Sequence, residues 1–200
     1  YYHKMYITGG IYKSRKLMTL KNKYLRPTSN KVRQSLFNVL IHRFNFYDWN
    51  TESNILDAFA GSGIIALEAI SRGIKEATLI EEDKNICKQI HYNIDNLLPR
   101  QSINVVNDSF FNTHFNQSKF KLFFFDPPFF KNYCNLAIEK VFDEKLYLKD
   151  SLIVCETEKD YKFNANLNKY IILKKVYGKT KISFFYNLGS SKKTFNILKR

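Results

Sequence analysis

Four acidic residues stand where apolar runs stop. Asp57 lies in Ile55-Leu-Asp-Ala-Phe-Ala-Gly-Ser-Gly63, Glu81 follows Leu79-Ile80, Asp108 follows Val105-Val-Asn107, and Asp126 follows Leu122-Phe-Phe-Phe125. A carboxylate inside such a run is costly unless partnered, and Asp and Pro are both poor strand residues. Each acid is therefore expected where a strand ends and a site begins. Gly61 and Gly63 would let the backbone approach a ligand closely, and the N-terminus of the helix that follows favours negative groups. The loop is not the dinucleotide fingerprint G-x-G-x-x-G, because Ala66 stands at the third glycine position. Glu81 can accept hydrogen bonds from both ribose hydroxyls of a nucleoside, and Asp108 one from an adenine amino group. Blander readings exist for each: a plain strand–helix turn for the glycines, a turn aspartate for Asp108, a helix cap for Asp126. Asp83 suits a helix cap better than Glu81 does. Taken together, the acids and the glycine loop describe a pocket for an adenosine-bearing ligand.

The elements that would carry these residues alternate. Strands are expected over 55–59, 77–81, 103–106, 122–125 and 152–155, with helices over 63–72, 84–97 and about 136–142 between them. Near-continuous apolar strands separated by helices imply a parallel sheet covered on both faces, with ligands beyond the carboxyl ends of its strands. Residues 170–177 and 182–188, parted by Gly178-Lys179, read as a closing antiparallel hairpin. Before the alternation, Met5 to Leu20 reads as two short strands broken by Gly9-Gly10. A helix capped by Thr28 or Ser29 follows, with Val32, Leu36, Val39 and Leu40 at helical spacing. The expected division is a basic N-terminal extension over 1–52, a main domain over 53–189 and a basic tail over 190–200.

Composition sets outer bounds. The chain has 200 residues, 44% hydrophobic and 16% aromatic, enough for one domain with a substantial core. No apolar run approaches a membrane span, and no signal-peptide core opens the chain. Cys87, Cys134 and Cys155 are odd in number and widely spaced. They read as reduced residues of a cytoplasmic protein rather than a disulfide framework or zinc site. His3, His42, His91 and His114 show no ligand spacing, so no metal is expected. The formal net charge is +14 and there is no acid before Asp48. Lys13, Arg15, Lys16, Arg26 and Arg33 crowd the opening segment, which favours a polyanion, nucleic acid first.

The ordered set Asp57-x-Phe-x-Gly-x-Gly63, Glu81, Asp108 and Asp126-Pro-Pro-Phe129 resembles the class I S-adenosylmethionine-dependent methyltransferases. The Asp-Pro-Pro-Phe form is similar to enzymes that methylate exocyclic amines of bases. Tyr6-Ile-Thr-Gly-Gly-Ile-Tyr-Lys-Ser-Arg-Lys-Leu17, Arg26-Pro-Thr28, Val32-Arg33 and Leu36-Phe-Asn38 narrow it further. With Leu67-Glu-Ala-Ile-Ser-Arg-Gly73 and Tyr177-Gly-Lys-Thr180, they resemble the RsmD-type 16S rRNA guanine-N2 methyltransferases over nearly the whole chain. Met5 resembles the family's natural start. Asn30 and Ala66 depart from the family pattern, where Asp and Gly are expected.

The resemblance implies a doubly wound, mostly parallel α/β sheet with a C-terminal antiparallel hairpin and a small N-terminal β/α extension. It implies S-adenosylmethionine as cofactor, leaving as S-adenosylhomocysteine, on Asp57, Phe59, Gly61, Gly63, Glu81, Glu82, Asp108 and Ser109. Asp126, Pro127, Pro128 and Phe129 would be catalytic, and Lys13, Arg15, Lys16, Arg26, Thr28 and Arg33 would contact RNA. The expected substrate is 16S rRNA in the small ribosomal subunit or its assembly intermediate, at a guanine-966-type site. A monomer in the bacterial cytoplasm, away from membranes, is expected.

An exocyclic amine is a weak nucleophile because its lone pair is delocalised into the ring. Accepting its N–H bonds on the Asp126 carboxylate and the Pro127 carbonyl would localise that pair and aim it. Proline restricts its own backbone and its predecessor's, holding both acceptors still. Phe129 would stack on the extruded base. The rivals are a DNA adenine-N6 methyltransferase, for whose usual recognition insert no segment is long enough, and a catalytically idle RNA-binding or assembly protein of the same fold.

Overall fold

A computed structural model describes residues 5–19, 29–46, 53–99, 101–129 and 131–188. The turn at Arg26-Pro-Thr28, the loop through Trp49 and the basic tail lie outside them. The chain forms two compact units, Tyr1–Ser109 and Phe110–Arg200. Among the described residues seven strands make a mostly parallel sheet with antiparallel strands near the C-terminus, the class I architecture implied by the motifs.

In the first unit, helix α1 (Asn30–Phe44) starts where the Ser29 side chain accepts the Val32 N–H at 3.3 Å and ends at Asn45 in the left-handed region. Its buried residues are Arg33, Leu36, Phe37, Val39, Leu40 and Phe44; of the apolar positions read from the sequence, Leu36, Val39 and Leu40 are among them and Val32 is half-buried. Strands β1 (Asn54–Asp57), β2 (Glu76–Ile80) and β3 (Ser102–Val106) lie parallel, β2 in the middle. Helix α2 (Ile64–Ser71) follows β1 and has all eight residues buried, six of them apolar and the other two, Glu68 and Ser71, hydrogen-bonded. Helix α3 (Lys84–Leu97) follows β2. Asp83 caps it by accepting from the Asn85 and Ile86 N–H groups, the role expected of that residue, and Pro99 stands just beyond its end.

The expected pair of N-terminal strands is reduced to one bridge, Tyr6 with Lys16. Gly10 and Ser14 both take positive φ, so the backbone turns before a ladder can grow. The intervening polar groups are spent elsewhere. The Thr8 N–H donates to Glu68 Oε2 at 3.0 Å and the Ile11 N–H to the Ser71 carbonyl at 2.8 Å. The extension is thus a loop sewn onto α2.

In the second unit, β4 (Phe120–Phe125) runs parallel to β5 (Tyr147–Glu158), and β5 pairs antiparallel with β7 (Thr180–Leu188). Strand β6 (Ile171–Tyr177) closes the hairpin with β7 around Gly178 at φ 59°. Helix α4 (Tyr133–Asp143) lies between β4 and β5 in sequence, and a short 3-10 helix over Ala165–Tyr170 precedes β6. Leu122, Phe123, Phe124 and Phe125 are all buried; each contributes roughly 1.5–3 kcal/mol by leaving water. Phe110 packs on Phe125 at 5.6 Å between ring centroids, and Phe115 on Phe120 at 5.8 Å. The phenylalanine run before Asp126 is therefore core. No helix among the described residues is long and apolar enough to cross a membrane.

Candidate functional site

Asp57 is the last residue of β1 and is 1% exposed. Neither of its carboxylate oxygens reaches a hydrogen-bond partner. Burial pushes its carboxyl up to about 7, Glu81 adds to the push, and the Ala66 and Phe59 amides that face it offset only part of the cost. A buried carboxylate in this state has a strong preference for a donor or a cation.

Directly after β1 the chain turns through Ala58 and half-buried Phe59 into the glycine loop. Gly61 and Gly63 have φ 50° and 75°, a region that strains any residue with a Cβ. At Gly63 a Cβ would also sit 3.0 Å from Leu79. Ser62 turns away from solvent, its hydroxyl 3.1 Å from Met5 Sδ.

Glu81 follows β2 immediately. Its Oε2 accepts the Gly61 N–H at 2.8 Å and its Oε1 accepts the Asp83 N–H at 2.9 Å. Each oxygen retains a further acceptor site, and burial raises this carboxyl too, against the pull of those two amides. Glu82 beside it is exposed. Asn107 was not singled out from the sequence. Its side-chain amide donates to the Glu81 and Glu82 carbonyls at 3.0 and 2.9 Å, so the ends of β2 and β3 are tied together. Asp108 Oδ1 accepts the Ser109 N–H at 2.7 Å, the geometry of a turn, with Oδ2 left for another donor. Asp57, the glycine loop, Glu81 and Asp108 are thus all at carboxyl ends of parallel strands in the first unit.

In the second unit Asp126 follows β4 at once and is half-buried; Pro127 is buried, Pro128 exposed and Phe129 half-buried. Around the motif lies a group that the sequence did not connect. The Cys134 thiol is pushed well up by burial and by its contact with Cys155, with Asp126 and Glu158 acting in the same direction. The Tyr161 hydroxyl accepts the Asn135 N–H at 3.1 Å, and burial pushes it up to about 12. These residues are scattered between Asp126 and Tyr161 without a shared pattern, so only the fold assembles them.

Of the residues expected to contact RNA, Lys13, Arg15 and Lys16 are exposed. Arg15 lies over the Tyr12 ring at 4.7 Å and donates to the Leu97 carbonyl. Arg26 and Thr28 lie outside the described residues. Arg33 is corrected: it is 0% exposed. Its Nε donates to Glu68 at 2.7 Å and its Nη2 to Asn30 at 2.9 Å and to the Tyr6 carbonyl. A guanidinium so enclosed cannot hold a phosphate. Glu68 is also fully buried and takes Arg72 at 2.8 Å and both the N–H and hydroxyl of Thr8. The basic residue that looked like part of a patch is half of an internal ion pair.

The family model described as "Conserved hypothetical protein 95" matches residues 5–186. Ribosomal RNA small subunit methyltransferase D of Haemophilus influenzae is 33% identical over 185 residues, 90% of this chain and 93% of that protein. A solved structure from the same organism superposes with a TM-score of 0.74 at 30% identity, over 92% of this chain and 99% of the other. An RNA methyltransferase of Salinibacter ruber, solved with S-adenosyl-L-homocysteine, shares the fold at 12% identity and a TM-score of 0.63, over 84% and 97% of the two chains.

Proposed function

We propose, on the premise that the chain belongs to the Conserved hypothetical protein 95 family, that it methylates the exocyclic N2 amine of a guanine in small-subunit ribosomal RNA. The observation that carries this reading is positional. Asp57, Glu81, Asp108 and Asp126 each stand at the end of their own parallel strand; Asp57 leads into the glycine loop, Glu81 accepts the Gly61 N–H, and Asp126 precedes the Pro-Pro pair. Acids placed for packing alone would have no reason to recur there.

The first unit's residues fit S-adenosylmethionine. The unpartnered Asp57 carboxylate would gain from the ligand's cationic groups, Glu81 keeps acceptor sites for two ribose hydroxyls, and Asp108 keeps one for the adenine amine. Gly61 and Gly63 leave room for the ligand beside the main chain. When bound, S-adenosylmethionine supplies an electrophilic methyl group on a sulfonium. In the second unit, Asp126 and the Pro127 carbonyl would accept the amine's N–H bonds and concentrate its lone pair on nitrogen. Phe129 would stack on the base, and Lys13, Arg15 and Lys16 would hold phosphates. The small ribosomal subunit or its assembly intermediate as substrate, and the cytoplasmic monomer expected from the sequence, belong to the same proposal.

The test uses radiolabelled S-adenosylmethionine with three acceptors: small subunits lacking the modification, naked rRNA, and unmethylated DNA. Label recovered as N2-methylguanosine from subunit RNA is the expected result. Asp126→Ala should lower turnover by about 10²–10³-fold while still binding S-adenosylhomocysteine. Label confined to DNA adenine would overturn the reading.

A further inference from the structure

Six large hydrophobic side chains are exposed among the described residues, and three of them, Tyr6, Ile11 and Met18, lie in the extension. Ile11 is 79% exposed, more than any of the others. A mobile loop would explain such exposure trivially, but this loop is braced. Ile11 and Tyr12 donate their N–H groups to the carbonyl and hydroxyl of Ser71 at 2.8 and 2.9 Å, and that hydroxyl donates to the Gly9 carbonyl at 2.7 Å. Gly10, at φ 80°, presses so closely on α2 that a Cβ would lie 1.9 Å from the Ser71 oxygen. Tyr12 is held beneath Arg15 and accepts from Gln101 at 3.0 Å. Met18 is fixed similarly, exchanging two 2.9 Å hydrogen bonds with the buried Asn93 side chain. The backbone of this segment is ordered, and the apolar side chains are what it holds out to solvent.

We propose that Ile11 is an apolar wedge that seats against an unstacked base of the RNA while Lys13 and Lys16 grip the neighbouring phosphates; this rests on the reading that the extension faces RNA. Charge selects the occupant. Lys13, Arg15 and Lys16 are exposed within five residues of Ile11, and no acid occurs before Asp48. Within the segment itself a protein partner would find no carboxylate for its own cations, whereas a polyanion finds three exposed cations. Aliphatic side chains inserted at base steps are an established way to stabilise unstacked nucleic acid. An enzyme whose target amine must leave its stack has a use for one.

The binding comparison uses a short RNA stem-loop with unpaired bases and a fully paired duplex of equal length, over a series of KCl concentrations. The wild type should prefer the stem-loop. Ile11→Ala should lose about 5–20-fold on the stem-loop and nothing on the duplex, at the low end of base-stacking contributions. Its slope of log affinity against log salt should be unchanged. Lys13→Ala should weaken both RNAs and reduce that slope by about 0.7–0.9. Because Ile11 is exposed, its melting curve should match the wild type. Unchanged stem-loop affinity in Ile11→Ala, an equal loss on both RNAs, or no RNA binding by the wild type would each overturn the wedge. A wild type that binds and discriminates these RNAs yet transfers no label to small subunits lacking the modification or to naked rRNA would overturn the functional reading alone.

Discussion

Replacing Asp57 with Asn isolates the energetic state of the pocket. Burial lifts its carboxyl from 3.8 to about 7, and about three pH units correspond to about 4 kcal/mol. Between pH about 4 and 7 the folded chain holds a proton that the unfolded chain has released. The associated stability is therefore complete below the unfolded pKa and is lost as pH rises through 7. Asp57→Asn removes that dependence, although its amide would also lack partners, which returns about 1–3 kcal/mol of cost. The net expectation at pH 8 is a variant more stable than wild type by about 2 kcal/mol, with the advantage shrinking toward pH 5. Urea unfolding of both proteins across pH 5–8 gives the difference curve, in which contributions common to both cancel. The same carboxylate should lose its proton when a cationic ligand settles beside it. Calorimetry of S-adenosylmethionine binding at pH 6.5, in two buffers of different ionisation enthalpy, should detect proton release by wild type and none by the variant. A flat difference curve together with proton-neutral binding would refute the assignment of a strained, ligand-seeking Asp57.

Three further outcomes follow from the same geometry. Glu68→Ala strands the buried Arg33 and the half-buried Arg72 and should cost about 3–5 kcal/mol, a fall in Tm of about 6–20 °C on thermal melting. Glu81→Ala removes the acceptor for the Gly61 amide and for a ribose. Equilibrium binding of S-adenosylhomocysteine should weaken on the order of 100-fold with little change in melting temperature. Gly10→Ala meets both a positive φ and the Ser71 oxygen, so it should lift the loop from α2, raise proteolysis within residues 5–19 and weaken RNA binding.

Most of the architecture was legible because local signals agreed with the global pattern. Helix α3 has its bounds written in Asp83 and Pro99, and β4 in a run of aromatics cut off by Asp-Pro-Pro. The strand-end acids were legible for the same reason, since each interrupts an apolar run. What stayed hidden depends on partners distant in sequence. Arg33 carries the same formal charge as Lys13, and only Glu68, 35 residues away, makes it internal. The Glu81 link to Gly61 and the Asn107 clasp are invisible to periodicity, because they are made by side chains whose local signal is that of a turn. The N-terminal strands failed because strand propensity there is spent on α2 rather than on a second strand. The neighbourhood of Cys134, Cys155 and Tyr161 needed the register of β5 before it existed at all.

Helix α2 is eight residues long, a rod of about 12 Å. Gly63 sits at its first end, in the loop that faces the proposed donor site. Ser71 sits at its last, gripping the loop that carries Ile11. Midway, Glu68 bolts the rod to the extension through Thr8 and to α1 through Arg33. The parts proposed to meet RNA and the parts proposed to meet the cofactor are therefore joined through one helix. The extension cannot be exchanged for another binding module by splicing at its sequence boundary, because its seat is cut into the helix of the domain it serves.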